Sequence, residues 1–326
     1  MDFRQLKYLS VVAKYQNVTR AAESLYISQS ALSHYIKNAE EELGVKLFDR
    51  TTNPITLTDA GRCYMDSAQR ILLENERLEK ELRDITNHMS GTLSIGTSVD
   101  RCSYMMPKLL PAFTELYPGI RVNVVTGGGA RLRDMLRKGD IDILLLPDLP
   151  DDDKQDLISE VLYSEEVVLA AAAGYIPKDV RWKGHHILQV KDIAAYPLYL
   201  QEQGHVHRSY CDMVFRRARI RPKILQEFSS NITCYRMAAA GSGVTIIPYT
   251  TTQLASAGQK VELFSLGEPP LLWDVHLYYR KNAYLGLPEK QMIALARDIF
   301  SRELRFPARV APQKAGTEEI PSPTDL

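Results

Sequence analysis

The feature that most constrains this chain is an unbroken helical pattern that runs from Asp59 to about His88. Thr58 stands directly before it as a candidate N-cap. Roughly 30 residues at 1.5 Å each make a rod of about 45 Å. A helix of this length can keep two domains attached to it well apart. One side of it carries residues that alternate spacings of four and three: Tyr64, Ala68, Ile71, Asn75, Leu78, Leu82 and Ile85.

This alternation is typical of the seam of a coiled coil. We therefore predict that the helix dimerises with a second copy of itself through Ile71, Asn75, Leu78 and Leu82. Asn75 costs stability in an apolar seam, but it can fix the register by pairing across it. The alternative is a helix that packs only on its own chain, and the sequence leaves both open.

The overall composition is that of a globular protein and narrows the functional classes. The chain has 326 residues, of which 45% are hydrophobic, and this suits two or three domains. Its net charge of zero argues against a polycation that coats nucleic acid, but it leaves room for a local basic surface. No apolar run approaches the roughly 18 residues that cross a bilayer. The start MDFRQLKYLS is unlike a signal peptide, so we expect a cytoplasmic protein with no membrane partner.

Cysteines and histidines give little sign of a metal or redox centre. His185-His186 and His205-x-His207 lack a cysteine or carboxylate at a spacing that fixes a metal site. No Ser-His-Asp order or nucleophile elbow stands out either. We expect no metal, no cofactor and no catalytic residue, hence a protein that is not an enzyme. Reduced thiols, with redox sensing as the alternative, fit the cysteines, which are spread singly without a C-x-x-C pair: Cys63, Cys102, Cys211 and Cys234.

Before the rod, one predicted helix has two clearly different sides. Ser28 can cap it at its start. Spacings of 4, 3 and 4 put four apolar residues on one buried side: Leu32, Ile36, Ala39 and Leu43. The opposite side and its flanks carry hydrogen-bonding groups instead: Gln29, Ser30, Ser33, His34 and Lys37.

The segment before this helix completes a pattern found in DNA-binding proteins. A short helix, Arg20–Leu25, capped by Asn17 or Thr19, precedes it, and the connection YIS matches the tight turn of a helix-turn-helix. The acidic run Glu40-Glu41-Glu42 would repel phosphate, so the longer helix should enter DNA by its N-terminal half. The alternative is that its polar side is only the solvent side of a surface helix.

The run AAESLYISQSALSHYIKNAEEELGVKLFDR, followed by TLTDAG, resembles the LysR-type transcriptional regulators. The resemblance implies an N-terminal all-α winged helix-turn-helix domain (1–58), a linker helix for dimerisation (59–90) and an α/β effector-binding domain (91–304). It assigns DNA contacts to the longer helix and the wing: Gln29, Ser30, Ser33, His34, Lys37, Arg50, Thr51 and Thr52. The chain departs from the family at Ala39, where Leu is common, and in the wing TTNP, which lacks a second basic residue.

Past residue 90, helical and strand patterns alternate, which implies a mostly parallel sheet covered by helices. Strands are expected at 93–96, 120–126 and 141–146, and helices at 104–117 and 131–138. The segments GTLSIGTS and LRKGDIDILLLPD resemble the family's regulatory region, which is similar to type 2 periplasmic binding proteins with two subdomains. That likeness assigns 91–162 and 267–304 to subdomain I and 163–266 to subdomain II. Residues 305–326 lack an apolar period and are expected to form a disordered tail.

Polar residues and glycines follow two of the expected strands, at the ends where open α/β sheets bind ligands. Gly127-Gly128-Gly129 precedes a helix, where free N–H groups favour an anion, although a plain tight turn is the alternative. The expected effector contacts at these strand ends are Thr97, Ser98, Asp100, Arg101, Gly128, Gly129 and Arg131, and the family likeness adds Gln201, His205 and Asn231 across the cleft. Arg101 and Arg131 could equally be solvated surface charges. The effector should be a polar or anionic metabolite. Asp100 stands where the family is commonly uncharged, and it could instead repel a carboxylate or bind an amine.

These patterns together predict a DNA-binding transcriptional regulator whose binding to promoters is modulated by a small molecule in the cleft between two subdomains. The expected partners are double-stranded promoter DNA, the effector, and further copies of the chain, first as a homodimer and then as a homotetramer. RNA polymerase is a further candidate partner. A solute receptor and an enzyme are the competing classes, and a gel shift with upstream DNA would separate them from a regulator.

Overall fold

A computed structural model describes residues 2–86, 90–149, 154–180, 186–255 and 260–303 of the chain. The described residues fall into two compact units. Unit 1 lies within Met1–Met89 together with Ala283–Gly286, and unit 2 within Ser90–Asn282 together with Leu287–Leu326. The expected tail, 305–326, lies outside the described residues, as do His88 at the end of the rod and His185.

Unit 1 carries the helices and the small wing that the sequence predicts. Its elements are α1 (Phe3–Tyr15), α2 (Val18–Ser24), α3 (Gln29–Leu43), β1 (Phe48–Asp49), β2 (Thr56–Leu57) and α4 (Asp59–Ile85). β1 and β2 pair antiparallel. The side chains of Asn17, Ser28 and Thr58 cap α2, α3 and α4 by accepting hydrogen bonds from backbone N–H groups of their first turns. α2 begins at Val18 rather than Arg20, because Asn17 and not Thr19 is its cap.

The apolar side of α3 lies in the centre of a small hydrophobic core. Leu32, Ile36 and Ala39 are at most 1% exposed and pack with residues of α1 and α2. The buried alanines of α2 have short side chains, which lets that helix approach α3 closely. Leu43, which the spacing places on the same side, is exposed instead, because the helix ends there with Gly44 as its left-handed C-cap.

Glu40 has a different role from the one the sequence suggested. The prediction that the run Glu40–Glu42 repels phosphate is wrong for Glu40, which is 3% exposed. Its carboxylate accepts hydrogen bonds from the backbone N–H groups of Leu47 (2.9 Å) and Phe48 (3.2 Å), and it lies 3.1 Å from Lys46 Nζ. Glu40 therefore fastens the start of the wing to α3, with its charge neutralised by its neighbours.

The expected seam of α4 is covered in one part and bare in another. At the start of the helix, Ala68 is buried, and Tyr64 packs against the core of unit 1. Farther along, Leu78, Leu82 and Ile85 are between 51% and 76% exposed. Packing on the helix's own chain is thus seen at the start of the seam, and the dimer contact farther along stays a prediction. Among the described residues, none covers the apolar row that begins at Leu78.

Unit 2 is an α/β structure, as the alternating periodicity predicts. Its elements are β3 (Gly91–Thr97), α5 (Val99–Leu116), β4 (Ile120–Thr126), α6 (Gly129–Lys138), β5 (Ile143–Pro147), β6 (Leu157–Ala172), β7 (Ile187–Leu188), β8 (Pro197–Gln201), α7 (Val206–Ala218), β9 (Lys223–Phe228), α8 (Asn231–Ala239), β10 (Val244–Pro248), α9 (Tyr249–Leu254), β11 (Val261–Leu266), β12 (Leu272–Arg280) and α10 (Leu287–Glu303). None of the described helices has the length and apolar character needed to span a bilayer.

The strands follow the order β4-β3-β5-β12-β6-β10-β8-β9, with β11 on β6 and β7 on β11. The strand β6 is shared by two halves, because it pairs with β12 up to Glu166 and with β10 from Val167 onward. We call the half with β3, β4, β5 and β12 lobe I, and the half with β7 to β11 lobe II. Within each lobe the neighbouring strands β4-β3-β5 and β10-β8-β9 run parallel. Their carboxyl ends lie where the chain passes between the lobes.

The helix after β3 starts earlier than the sequence indicated. α5 begins at Val99 instead of Tyr104, directly after Ser98, whose backbone is extended as an N-cap. The polar first turn conceals the apolar period, which becomes regular only from Tyr104. As a consequence, Asp100 and Arg101 lie in the first turn of α5 rather than in a loop.

Candidate functional site

The outward side of α3 is a polar surface, which we call the α3 face: Gln29, Ser30, Ser33, His34 and Lys37. Ser33 is half-buried and the other four are exposed. No acidic residue occurs in the sequence from Ser28 to Asn38. The first turn of the helix adds the positive end of its dipole. This surface can donate hydrogen bonds and attract phosphate.

Contacts within the α3 face are exposed and therefore easily exchanged. Gln29 Nε2 donates a hydrogen bond to Ser33 Oγ at 2.9 Å. Lys37 Nζ lies 3.5 Å from Glu41 Oε1, and both side chains are exposed, so this ion pair contributes little to stability. Both contacts order the side chains while leaving them free to turn toward a ligand.

The wing between β1 and β2 keeps one cation at its surface. Arg50 is exposed, and its Nη2 lies 3.8 Å from Glu40 Oε2. Thr51 donates from its backbone N–H (2.8 Å) and its hydroxyl (2.6 Å) to Asp49 Oδ1, which lowers the pKa of Asp49. Thr52 is exposed beside it. The wing hydroxyls thus shape the loop, and the guanidinium of Arg50 is its charged tip.

Tyr26, in the turn between α2 and α3, was not singled out from the sequence. Its φ is 56°, in the left-handed region, and its side chain is 96% exposed. That conformation costs a residue with a Cβ roughly 1–2 kcal/mol, and such strain clusters at functional sites. The signal was a bulky residue in a turn position that favours Gly or Asn.

In unit 2, a cavity of about 30 Å³ lies between lobe I and lobe II. Six of the ten residues expected to contact an effector line it: Ser98, Asp100, Arg101, Gln201, His205 and Asn231. Pro147 and Pro248, at the carboxyl ends of β5 and β10, line it as well. The cavity therefore occupies the place where open α/β sheets bind ligands.

Asp100 joins the two lobes across this cavity. Its carboxylate accepts hydrogen bonds from Ser230 Oγ (2.8 Å), Asn231 N (2.9 Å) and Gln201 Nε2 (3.3 Å). All these donors belong to lobe II, whereas Asp100 belongs to lobe I. Because Asn231 is the first residue of α8, the carboxylate sits at the positive end of that helix.

Arg101 is buried beside Asp100 and paired with Glu165. Its Nη2 lies 2.7 Å from Glu165 Oε1, and its other terminal nitrogen donates to the hydroxyl of Tyr163. Glu165 also accepts from Trp273 Nε1 (2.9 Å) and Thr250 Oγ1 (2.7 Å). Burial alone would lower the pKa of Arg101, but Tyr163 and Glu165 together outweigh it, so the pKa lies above its ordinary value. The charge of Arg101 is therefore directed at Glu165 rather than at a ligand anion.

His207 is a neutral member of the same cavity wall. Its ring meets Trp273 edge-on, with centroids 5.4 Å apart. Burial and then the charge of Arg101 lower the pKa of His207 to about 3, with the Asn231 side chain opposing the shift. Among the residues that line the cavity, Arg101 Nε is buried and makes no hydrogen bond, while the His207 ring and the Asn231 side chain interact with each other. Since buried polar atoms are nearly always paired, this wall is suited to a hydrogen-bonding occupant.

Two of the expected effector contacts lie away from the cavity. Thr97 is fully buried, and its hydroxyl donates to the carbonyl of Leu145 at 2.9 Å. Arg131 is exposed on α6. Neither side chain lines the cavity.

Gly128 and Gly129, at the start of α6, fit the lobes together, whereas Gly127 before them lines the cavity. A Cβ on Gly128 would lie 2.8 Å from the carbonyl oxygen of Gly204, and one on Gly129 would lie 2.5 Å from Val206 Cγ2. Any larger residue would push the lobes apart at this point. The expected glycine turn therefore has a packing role across the cleft.

Three cavity residues, Thr250, Thr251 and Trp273, escaped the sequence analysis, as did Glu165, which pairs with Arg101 behind the cavity wall. Glu165 did carry a signal, because it precedes the apolar run VVLAAA of β6, and an acid in a buried strand requires a cation. The others carried none, since only the tertiary fold brings them to the cavity.

The four cysteines differ in exposure, Cys63 being exposed and Cys102 half-buried. All four are unpaired, and Cys211 and Cys234 are buried. Burial raises the pKa of Cys211, and it raises that of Cys234 to about 12, so thiolate is scarce at either sulfur. Among the described residues, no group of three His, Cys, Asp or Glu side chains is placed to hold a metal ion.

Two family models match this chain. Residues 3–62 match the one described as "Bacterial regulatory helix-turn-helix protein, lysR family", and residues 86–301 match "LysR substrate binding domain". Among curated proteins, "Uncharacterized HTH-type transcriptional regulator YybE" of Bacillus subtilis is 30% identical over 248 residues. The match covers 76% of this chain and 82% of that protein.

Solved structures share the fold. Full-length OxyR from Pseudomonas aeruginosa superposes with a TM-score of 0.68 at 24% identity, covering 92% of this chain and 97% of that one. Full-length CbnR complexed with its target DNA gives a TM-score of 0.59 at 23% identity, covering 93% and 99% of the two chains. These likenesses confirm the predicted fold class, a winged helix-turn-helix with a linker helix followed by an α/β regulatory domain.

Proposed function

Since this chain belongs to the LysR family of bacterial transcriptional regulators, we propose that it binds promoter DNA through the α3 face and that a small molecule in the cavity of unit 2 modulates this binding. The family supplies the regulator class, with a DNA-binding domain and an effector-binding domain. The α3 face is the observation that supports DNA binding by these particular residues. It is free of acidic residues and mounted on a helix whose other side forms the domain core.

The residues of the α3 face have the chemistry of base recognition. Gln29 can make a bidentate pair with adenine, and Ser30 and Ser33 adapt to either strand. His34 and Lys37 can meet a guanine edge or a phosphate. The N-terminal half of α3 enters the major groove, since it carries the positive end of the helix dipole and Glu41 and Glu42 remain exposed at the other end.

The wing contributes contacts to the DNA backbone. Arg50 supplies the charge, and the exposed backbone and hydroxyls of Thr51 and Thr52 can reach phosphate oxygens. Such contacts position the domain without reading sequence. The single arginine suggests a weaker hold on the backbone than a wing with two cations would give.

The linker helix joins two copies of the chain. Ile71, Asn75, Leu78 and Leu82 form the contact, and the exposure of the two leucines supports it. Asn75 Nδ2 donates to Glu79 Oε1 at 2.9 Å within one chain, a surface contact that pairing across the seam would replace. Two copies present two α3 faces, so the operator should contain two half-sites. Two such dimers would form the homotetramer on the promoter.

Control by the effector follows from the two lobes of unit 2. A molecule that fits the cavity better in one arrangement of the lobes shifts the population toward that arrangement. The same free-energy difference then appears as a change in DNA affinity, because the two equilibria are linked. Asp100, Gln201 and Asn231, which bridge the lobes, are the residues whose contacts such a molecule must alter.

The chain acts by binding rather than by catalysis. Beside the cavity, Arg101 and Glu165 are paired with each other, so neither is available as a free acid or base. We place it in the cytoplasm, where promoter DNA and RNA polymerase are found. RNA polymerase is a further partner wherever the bound regulator lies beside it.

A gel shift with the DNA upstream of its own gene tests the proposal. Lys37→Ala should weaken binding by about 5- to 150-fold if the lysine meets a base, from the roughly 1–3 kcal/mol of one base contact. If Lys37 instead contacts a phosphate, the slope of log affinity against log salt concentration should become shallower by about one unit. Lys7→Ala is the matched control, because Lys7 is an exposed lysine of α1 that is not part of the α3 face.

Wild-type affinity and an unchanged footprint for Lys37→Ala would remove that residue from the interface. Equal losses for both lysine variants would mean that only overall charge matters, which contradicts a role for the α3 face in particular.

A further inference from the structure

Asp100 binds where an effector's anion was expected to bind. We propose that Asp100 is an internal ligand, a carboxylate of the chain itself that fills the anion position at the start of α8, so that the cavity selects an uncharged polar effector and excludes free carboxylates. The inference rests on the proposed effector role of this cavity. It names the chemical class of the effector and the residue that decides it.

The start of α8 has the geometry of an anion site. The backbone N–H of Asn231 donates to Asp100 Oδ2 at 2.9 Å, and Ser230 Oγ donates to Oδ1 at 2.8 Å. Gln201 Nε2 completes the ring of donors at 3.3 Å. Helix N-termini bind carboxylates and phosphates in this way, through free N–H groups and the helix dipole. Each oxygen of Asp100 is thus satisfied by lobe II.

Beside this carboxylate, the cavity retains unused hydrogen-bonding capacity. Asn231, Arg101 and His207 are 3–6% exposed, and Arg101 Nε is a buried donor without a hydrogen bond. A space of about 30 Å³ faces them. It is large enough for a water molecule or for the polar end of a ligand that has donors and acceptors. A molecule bound here would make its contacts next to Asp100.

The charges around the cavity decide which molecules fit. Among the residues that line the cavity, Arg101 is the one Arg or Lys, and Glu165 at 2.7 Å already balances it. His205, also in the lining, has its Nε2 3.5 Å from Glu202 Oε1. His207 is neutral, because burial keeps its pKa far below physiological pH. A second carboxylate would therefore meet the charge of Asp100 without compensation, and two carboxylates in one site repel each other. An uncharged molecule meets no such cost.

Chemical rescue with acetate tests the proposal. In the full-length chain, Asp100→Ala should lower the melting temperature of unit 2 and open a place for a free carboxylate. Acetate at ~10 times its dissociation constant should then raise the melting temperature of the variant by about 3 °C or more. Wild type should not respond beyond a chloride control of equal ionic strength. Glu115→Ala, at the exposed far end of the same helix, is the matched control and should behave as wild type.

Two further variants keep the test decisive. Asp100→Ser leaves room for acetate and retains a polar group in the first turn of α5, so it should be rescued even if the alanine variant does not fold. Asp100→Asn fills the space, so it should not be rescued. Acetate that stabilises wild type as much as Asp100→Ala, or that rescues neither small variant, would overturn the internal ligand.

DNA affinity measured on the same samples separates this inference from the proposed function. Rescue of melting together with a change in DNA affinity supports both. Rescue of melting while DNA affinity is constant supports the internal ligand and counts against the cavity as the effector site.

Discussion

Replacing Glu165 with Gln should destabilise unit 2 strongly, because it removes the negative charge opposite a buried guanidinium. Glu165 is fully buried and accepts hydrogen bonds from Arg101 Nη2, Trp273 Nε1, and both the N–H and the hydroxyl of Thr250. A glutamine keeps one acceptor oxygen but turns an NH2 group toward these donors. Arg101 is then left charged and uncompensated in the interior.

The size of the effect follows from this arrangement. Breaking a buried ion pair by removing one partner costs about 3–5 kcal/mol. For a unit of roughly 200 residues, each kcal/mol lowers the melting temperature by about 2–4 °C. The expected decrease is therefore about 6–20 °C.

Tryptophan fluorescence is the appropriate assay, because it follows one unit. The chain has two tryptophans, Trp182 and Trp273, and both lie beyond residue 90 in the sequence. Thermal unfolding of Glu165→Gln should be compared with wild type and with Glu166→Gln, the neighbouring residue on β6. Burial raises the pKa of Glu166, against a hydrogen bond from Ser265, and Glu166 Oε1 makes no hydrogen bond.

The neighbouring glutamates should respond in opposite ways. A carboxyl whose folded pKa is raised stabilises the protein at low pH and loses that contribution as pH rises through the folded pKa. Glu166→Gln should therefore be as stable as wild type or more stable at neutral pH, with the difference growing as pH rises. Equal and small effects of the two substitutions would refute the view that Glu165 compensates a buried charge.

Three further outcomes follow from other parts of the molecule. Leu78→Asp should make the protein monomeric in analytical ultracentrifugation, whereas Arg77→Ala, on another side of α4, should leave the dimer intact; a dimeric Leu78→Asp would remove the seam. Tyr26→Asn should raise stability in urea by up to about 1 kcal/mol by relieving the left-handed strain, and should weaken DNA binding; a loss of stability would disprove the strain. His207→Gln should flatten the pH dependence of stability. In the unfolded chain this histidine becomes protonated below about pH 6.5, whereas buried His207 stays neutral until the pH reaches its folded pKa of about 3. Wild type therefore loses stability as the pH falls from about 6.5 toward 3. Urea unfolding at neutral pH and at about pH 5 measures it, and parallel profiles for the two proteins would contradict the shift.

Local patterns were enough to predict the helices of unit 1 to within a few residues. The cap at Ser28 and the spacing of Leu32, Ile36 and Ala39 depend on residues within one helix, so the sequence displays them directly. Glu40 was misjudged because its partners, the N–H groups of Leu47 and Phe48, become available only after the chain turns into the wing. Its neighbours in the sequence gave no hint of that burial.

The cleft of unit 2 was predictable in place but not in detail. The carboxyl ends of the strands indicated its position, and six expected contacts line the cavity. The pairing of Asp100 with Ser230 and of Arg101 with Glu165 joins residues far apart in the chain, which periodicity cannot detect. Because those pairings fix the charge of the site, the sequence left the effector's charge open.

The central claim is that the α3 face reads bases, and the ratio of affinities for two DNAs tests it most directly. Binding of wild type and of a Gln29→Ala, Ser33→Ala double variant should be measured by fluorescence anisotropy on the upstream DNA and on a scrambled duplex. We predict that the double variant keeps its affinity for the scrambled duplex, while its preference for the upstream DNA falls by about 10-fold or more. An unchanged preference, or an equal loss on both duplexes, would contradict the claim.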